Sequence, residues 1–194
     1  MLTVTSEAAT DATTERILDA AYEELLHFGV KGVSVEDIAK RVGVARITIY
    51  RRFANKDALL ASVALREARR LLARVDAAID KQSSPEDQLV EGFVVALQSV
   101  RNHPIVKRTL SSEPDLVTGF LSSHAAAIIA LPRDYLAARI AAMRPGFDAR
   151  PVAELIVRLT ATFVLLPDSV IRLKTGDDVR TFARTFLFPM VVDA

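Results

Sequence analysis

The chain has 194 residues and a formal net charge of +1, from 25 basic and 24 acidic side chains. Hydrophobic residues make up 51% of the sequence and charged residues 25%, which excludes a disordered chain and predicts a buried core. There is no cysteine, so disulfides, thiolate metal sites and cysteine nucleophiles are excluded. The near-zero net charge does not by itself indicate a partner.

The sequence has no segment typical of a membrane span or a secretion signal. Its apolar runs extend over only a few residues, whereas a membrane-spanning helix needs about 20. The N-terminal stretch MLTVTSEAATDATTER does not have a basic start followed by an apolar stretch. We therefore expect a cytoplasmic protein without membrane contact, and a flexible arm over residues 1–13.

Hydrophobic spacing predicts an all-α fold of about nine helices. Apolar residues recur at intervals of three and four, glycine is sparse, and no stretch alternates with period two. The predicted helices of the N-terminal part cover about 14–28, 35–42, 45–53 and 56–81. Proline and glycine then separate further helices at about 85–101, 104–111, 114–130, 132–143, 149–172 and 177–191.

The clearest local signal is a helix-turn-helix pattern between residues 34 and 56. Ser34 and Asp37 have the spacing of a capping box, and Gly43 ends a first short helix before a second one. Six basic residues and no acidic residue occur from Ile38 to Lys56 inclusive. A helical hairpin with a solvated basic face is the alternative, but the cap, the turn glycine and the basic cluster together favour DNA binding.

The second short helix supplies most of the predicted DNA contacts, because its apolar residues should anchor it and leave the others outward. The predicted DNA-contacting residues are Ser34, Arg46, Ile47, Thr48, Tyr50, Arg51, Arg52 and Lys56. Lys56 stands beside the amides that open the next helix, an arrangement suited to phosphate. We expect Ile47 to contact a thymine methyl group, and the alternative is that it turns inward against the following helix.

Residues from Thr14 to about Leu60 resemble the TetR (tetracycline repressor) family of transcription regulators. The resemblance lies in the stretches ILDAAYEELLHFG, GVSVEDIAKRVGV and ITIYRRFANKDALL. The matching positions are Gly32, Ile38, Ala39, Gly43, Val44, Thr48, Tyr50, Phe53, Lys56, Leu59 and Leu60. Three positions depart from the family pattern: Ala45 replaces a frequent capping Ser or Thr, Ile47 a small residue and Arg52 a frequent histidine.

The resemblance implies a helix-turn-helix DNA-binding domain at 14–57 and a ligand-binding and dimerisation domain at 58–194. It further implies a ligand-responsive repressor that binds a palindromic operator as a homodimer, with an activator left open. A second hypothesis is a helical ligand-binding or enzyme-like protein whose N-terminal module is vestigial. The three histidines have no metal-ligand spacing and no GxSxG motif occurs, so we expect no metal, cofactor or catalytic residue.

The C-terminal part should hold a pocket for a small, mostly apolar effector. Its candidate lining residues are Leu89, Phe93, Leu97, Leu110, Phe120, His124, Tyr135, Arg139 and Phe163. For His124 and Arg139 a structural or surface role is the alternative to ligand contact, and the aromatic residues are as typical of a core.

The two C-terminal helices, about 152–172 and 177–191, are the predicted dimer interface. The apolar residues concerned are Leu155, Leu159, Phe163, Leu166, Phe182, Phe186, Phe188 and Met190. Two such helices from each subunit would pack as a four-helix bundle around the two-fold axis that an operator with two half-sites requires. Some of these residues must instead face their own domain.

Overall fold

The computed structural model describes the backbone of residues 12–112 and 114–192, and the side chains of that part except those of 114–128. The chain divides into two compact units, with the division after Ala68. The described residues contain helices, one π turn and no strand, in agreement with the predicted all-α class.

The first unit contains three helices and the start of a fourth. They are α1 (Ala12–Gly32), α2 (Val35–Val42), α3 (Arg46–Tyr50) and α4 (Lys56–Ile79), and α4 continues into the second unit. Each of them contributes an aliphatic residue with at most 1% exposure, namely Ile17, Ile38, Ile49 and Leu59. Helix α1 begins two residues before the predicted start, and residues 1–11 of the predicted arm lie outside the described part.

The second unit continues with helices that follow the predicted order. They are α5 (Pro85–Asn102), α6 (Pro104–Ser112), α7 (Pro114–Met143), α8 (Arg150–Leu165), α9 (Gly176–Phe182), a π turn (Ala183–Leu187) and α10 (Phe188–Val192). If the last three are counted as one continuous helix, the described residues form nine helices, which matches the predicted number.

Helix α7 corrects the prediction of two helices, 114–130 and 132–143, because it runs through Pro132 without a break. A proline inside a helix costs about 3 kcal/mol, since it removes one backbone hydrogen bond and crowds the preceding turn. Packing against α8 offsets this cost. Beyond the proline, Ala137 and Ile140 are buried in the core, and Arg133 lies 3.6 Å from Glu154 of α8.

Helix α8 ends at Leu165 and not near residue 172, so the predicted helix 149–172 was too long. The physical cause is Pro167. The residue that precedes a proline is pushed out of the helical region, and Leu166 has φ −124° and ψ 77°. The segment that follows is irregular, and the guanidinium of Arg101 holds its two ends by donating to the carbonyls of Phe163 (3.2 Å) and Leu173 (2.6 Å).

The C-terminal helix contains a π turn just before Pro189. The Phe188 amide donates to the carbonyl of Ala183, five residues back, in place of the usual four. Pro189 has no amide hydrogen and its ring needs room in the preceding turn, and the wider turn supplies that room.

The core of the second unit is built by α5, α7, α8 and the C-terminal helix. Phe182 packs edge-on against Phe163, with 5.3 Å between the ring centroids, and lies 5.9 Å from Phe93. A bidentate ion pair closes the edge of this core, where Arg180 reaches Glu91 at 2.5 and 3.1 Å. No helix in the described part of the chain is long and apolar enough to cross a membrane.

Candidate nucleic-acid interface

The first helix of the helix-turn-helix begins at a side-chain cap. Ser34 has an extended backbone and its Oγ accepts a hydrogen bond from the Asp37 amide at 3.2 Å. This is one half of the predicted capping box. The Asp37 carboxylate lies 3.6 Å from Lys40 Nζ, within its own helix. Ser34 therefore has a structural role at the start of α2, whatever contact it makes with DNA.

The turn between α2 and α3 depends on Gly43. Its φ of 75° lies in the left-handed region, which a residue with a Cβ rarely adopts. The amides of Gly43 and Val44 both donate to the carbonyl of Ala39, at 2.9 and 3.0 Å, and so close the end of α2. The prediction that Gly43 ends the first short helix is confirmed.

Helix α3 is anchored by its buried side and exposes most of the predicted DNA-contacting residues. Ile49 is 1% exposed and Phe53 is 7% exposed. The side chains of Arg46, Ile47, Arg51 and Arg52 are exposed, and Thr48, Tyr50 and Lys56 are half-buried. Because Ile47 is 64% exposed, the alternative in which it turns inward does not hold. The thymine contact of Ile47 stays a prediction.

Two predicted contacts on α3 touch each other. Arg46 donates to the hydroxyl of Tyr50 at 3.1 Å, and its guanidinium carbon lies 5.2 Å from the ring centroid. The hydrogen bond to Tyr50 raises the pKa of Arg46 above its usual value. The pair places a cation and a hydroxyl side by side on the exposed side of α3, which is the chemistry that binds a phosphate.

Arg52 and Lys56 are held by residues that the sequence analysis did not select. Arg52 Nε donates to Thr14 Oγ1 at 3.2 Å, and Lys56 Nζ donates to the Lys31 carbonyl at 3.3 Å. The start of α4 is capped by Asn55, whose Oδ1 accepts from the Ala58 amide at 2.8 Å. One of the amides expected to be free beside Lys56 is therefore already occupied. These partners are 38 and 25 residues apart in sequence, beyond the reach of a local pattern.

Two side-chain hydrogen bonds join α1 to α2, the helix that precedes α3. Glu24 is 2% exposed, and its carboxylate accepts a hydrogen bond from Arg41 at 3.0 Å. Arg16 donates to the carbonyl of Val42, in the last turn of α2. In the sequence Arg41 is one cation of the basic cluster, and no motif distinguishes it from the others.

The space beside Gly32 explains why glycine stands at this matching position. A Cβ added there would lie 2.8 Å from the Cβ of Phe28, closer than real carbon contacts allow. The last turn of α1 therefore brings the backbone of Gly32 close to the Phe28 side chain. The chain reaches this position through a kink at Gly29, which has φ 71°. Phe28 itself is 55% exposed, so it does not complete the buried stripe of α1.

The candidate effector-pocket residues fall into three groups. Leu89, Phe93, Leu97 and Phe163 are buried in the core of the second unit, and Leu110 packs against that core. Tyr135 and Arg139 meet Asp76 of α4 and form a polar cluster at the side of α7. Phe120 and His124 lie in 114–128, outside the described side chains. The pocket assignment stays a prediction.

Histidines do not form a metal site in the described residues. His27 lies at the surface, 3.7 Å from Glu23. The described side chains include no group of three or more potential metal ligands.

This geometry, an exposed basic helix held by a capped helix and a glycine turn, defines the helix-turn-helix class of DNA-binding regulators. Residues 17–63 match the model of bacterial regulatory proteins of the tetR family. This N-terminal module is therefore of the tetR type, and the relatives that match most of the chain are transcriptional regulators, a class of proteins that is not enzymatic.

Relatives and a solved structure cover nearly the whole chain. The uncharacterized HTH-type transcriptional regulator Rv1255c of Mycobacterium tuberculosis is 25% identical over 97% of this chain and 90% of its own length. The HTH-type transcriptional regulator AlkX of the same species is 28% identical over 84% of this chain and 79% of its own length. The crystal structure of the TetR family repressor AlkX from Dietzia sp. strain DQ12-45-1b, implicated in biodegradation of n-alkanes, has a TM-score of 0.72 and 24% identity over 92% of this chain and 97% of that one. The Dietzia structure shows the same fold.

Proposed function

We propose that this protein is a ligand-responsive transcriptional repressor that binds a palindromic operator as a homodimer. The observation that carries the proposal is α3, whose exposed residues are cationic, hydroxylated or apolar while Ile49 fixes the helix from below. Such a helix suits the major groove, where guanidinium and hydroxyl groups meet phosphates and base edges. A regulator of this kind acts in the cytoplasm, where bacterial DNA lies.

The proposed domain division follows from the same assignment. Residues 14–57 form the DNA-binding domain, with Ser34, Arg46, Ile47, Thr48, Tyr50, Arg51, Arg52 and Lys56 as its contacts. Residues 58–194 bind the effector and form the dimer.

The dimer surface proposed here is the exposed part of the predicted C-terminal set. Phe186 is 56% exposed, Leu155 50% and Leu166 66%, whereas Phe163 and Phe182 are buried in their own core. Large exposed apolar residues on α8, just after its end and in the π turn are the kind of feature expected of an isologous interface. They support a homodimer in which each subunit contacts one half of a palindrome.

The proposed effector is a small, mostly apolar molecule. The second unit is rich in buried aliphatic and aromatic side chains, and a relative of the same fold is a repressor implicated in n-alkane biodegradation. An effector relieves repression only if it binds the DNA-incompetent state more tightly than the DNA-binding state.

The test is a selection of duplexes from a random pool with the full-length protein, followed by titration at several salt concentrations. We expect enrichment of an inverted repeat and a steep linear fall of log affinity with log salt, about 0.9 per neutralised phosphate. No enrichment and no duplex binding at low salt would instead support the second hypothesis, a helical ligand-binding protein with a vestigial N-terminal module.

A further inference from the structure

Two donors on α7 converge on one carboxylate oxygen of α4. The hydroxyl of Tyr135 donates to Asp76 Oδ1 at 2.5 Å, and Arg139 donates to the same oxygen. The guanidinium also lies 5.8 Å from the centre of the Tyr135 ring, and a second carboxylate, that of Asp80, is 3.8 Å away. Tyr135 and Arg139 therefore form a two-donor site that already holds a carboxylate.

The residues next to this cluster in the sequence are buried. Val75 and Ile79 of α4 are 5% and 8% exposed, and their side chains lie against Gly92 of α5. On α7, Ala137 and Ile140 are also buried. The polar cluster therefore lies at the edge of the packed core of the second unit.

The protonation states in the cluster suit a carboxylate ligand. Burial acts to raise the pKa of Asp76, but the hydrogen bonds from Tyr135 and Arg139 outweigh it and lower the pKa below its usual value. Burial and the bond to Asp76 raise the pKa of Tyr135 to about 12. At neutral pH Tyr135 is therefore a hydroxyl donor and Arg139 a cation, so both can donate to an anion.

The intramolecular carboxylate is replaceable. The Asp76 side chain is 38% exposed and that of Arg139 is 35% exposed. An ion pair that is this accessible to water contributes little net stability, so an incoming carboxylate loses little by replacing it. The displaced Asp76 regains water at a site that is already partly open to solvent.

We propose that Tyr135 and Arg139 are the carboxylate subsite of the effector pocket, and that Asp76 occupies this subsite until an effector carboxylate displaces it. The inference rests on the proposed function for the existence of a mostly apolar effector and adds its chemical class, a carboxylate. The effector carboxylate accepts the two hydrogen bonds that Asp76 now accepts. Displacement removes a tie on α4, the helix that also carries Lys56.

The test is isothermal titration calorimetry of the full-length protein with dodecanoate, and with dodecanol as the matched ligand without a carboxylate. We expect dodecanoate to bind the wild type, Asp76→Asn to tighten its binding about fivefold, and Arg139→Gln to weaken it about tenfold or more. Dodecanol should bind all variants alike. Asp134→Asn is the matched control, because Asp134 is an exposed ion-paired aspartate on the same helix as Arg139.

Several outcomes would overturn the inference: unchanged dodecanoate binding in Arg139→Gln or in Asp76→Asn, or no dodecanoate binding by either the wild type or Asp76→Asn. Binding of dodecanoyl-CoA but not of dodecanoate would do the same. If Arg139→Gln does not fold, Tyr135→Phe replaces it, with an expected weakening of about fivefold. These titrations contain no DNA and therefore test only the carboxylate site. Failure of the proposed function would be seen in the separate duplex experiment, as a wild type that binds no selected duplex.

Discussion

The contact between Arg46 and Tyr50 orders two side chains of α3 before any DNA is bound. Because the Tyr50 hydroxyl accepts from Arg46, its own hydrogen is left to donate to a phosphate oxygen. We predict that Tyr50→Phe weakens operator binding about tenfold, the range expected for a hydrogen bond to a charged group. Fluorescence anisotropy with a labelled operator measures this loss. Tyr22→Phe, the same change on α1, is the control, and equal affinity of the two variants would exclude the contact.

A second prediction at the residue scale concerns Lys56. Its ammonium group donates to the Lys31 carbonyl, which fixes its position without neutralising its charge. If this charge meets a phosphate, Lys56→Ala should reduce the slope of log affinity against log salt by about one. Lys81→Ala, which removes an exposed lysine from the second unit, should leave the slope unchanged. A slope unaltered by Lys56→Ala would mean that this lysine has only a structural role.

The exposed side chain of Ile47 allows a test that changes only the DNA. Replacing each thymine of the operator by uracil removes a methyl group and preserves base pairing. We expect reduced affinity at one or two positions, by about 1 kcal/mol each, if Ile47 packs on those methyl groups. Repeating the titration with Ile47→Ala serves as the control, since this variant should no longer distinguish thymine from uracil. Equal affinity of the wild type at every position would exclude the contact.

At the scale of single elements, α3 begins without a side-chain cap. Ala45 has the extended backbone of a cap residue, with φ −71° and ψ 145°, but no side chain to accept a hydrogen bond. We predict that Ala45→Ser raises the free energy of unfolding by about 0.5–1 kcal/mol, measured by urea denaturation. Ala73→Ser in the exposed middle of α4 is the matched control and should lower it by a few tenths, because serine is a poorer helix former than alanine. A loss of stability in Ala45→Ser would contradict the prediction.

The start of α9 should depend on pH through Asp178. Hydrogen bonds from the amides of Thr175 (2.8 Å) and Lys174 (3.2 Å) stabilise its carboxylate and lower its pKa below the usual 3.8. The stabilisation is therefore complete above pH 3.8 and is lost as the pH falls through the lowered value. We expect Asp178→Asn to lose less stability than the wild type as the pH falls from about 4 to about 2 in thermal melts. Parallel melting curves over this range would show that the cap does not titrate.

The elements that sequence reasoning located well are those whose ends are set locally. Ser34, Gly43 and Ser84 act through partners within four residues, and α2 and α5 have the predicted bounds to within one residue. Helix α3 is shorter than predicted, Arg46–Tyr50 in place of 45–53. Proline misled the prediction in both directions. Pro132 was expected to break a helix and does not, because tertiary packing offsets its cost, whereas the stop at Pro167 was missed because the apolar spacing continues past it.

For the candidate sites, the exposed residues of α3 were predictable from the sequence. Ile49 and Phe53 are four residues apart and so lie on one buried side of the helix, which leaves their neighbours exposed. Thr14 and Glu24 were missed, since they act on Arg52 and Arg41 across the fold. The same limit applies to Asp76, which meets Tyr135 from 59 residues away.

For the whole molecule, the proposed dimer provides the sharpest test. Phe186 is 56% exposed and its ring lies 5.3 Å from that of Phe182, whereas Phe182 is 6% exposed and packs on Phe163, so changing Phe186 disturbs the core less than changing Phe182. We predict that Phe186→Glu shifts the protein from dimer to monomer in analytical ultracentrifugation and weakens operator binding, since half-sites would be bound singly. Phe28→Glu, the same change at an exposed site of the first unit, should remain dimeric. A folded Phe186→Glu dimer would place the interface elsewhere.

The π turn at Ala183–Leu187 also acts as a phase correction. The inward residues of the C-terminal helix are Val179, Ala183, Leu187 and Val191, spaced by four and at most 3% exposed. In an unbroken α-helix, twelve residues would carry Val191 about 120° past Val179, because each residue turns by about 100°. The one extra residue in the wide turn cancels most of this drift. If this segment became a regular α-helix of the same length, Val191 would therefore point about 120° away from the core, whereas removing one residue of the wide turn as well would restore its inward direction.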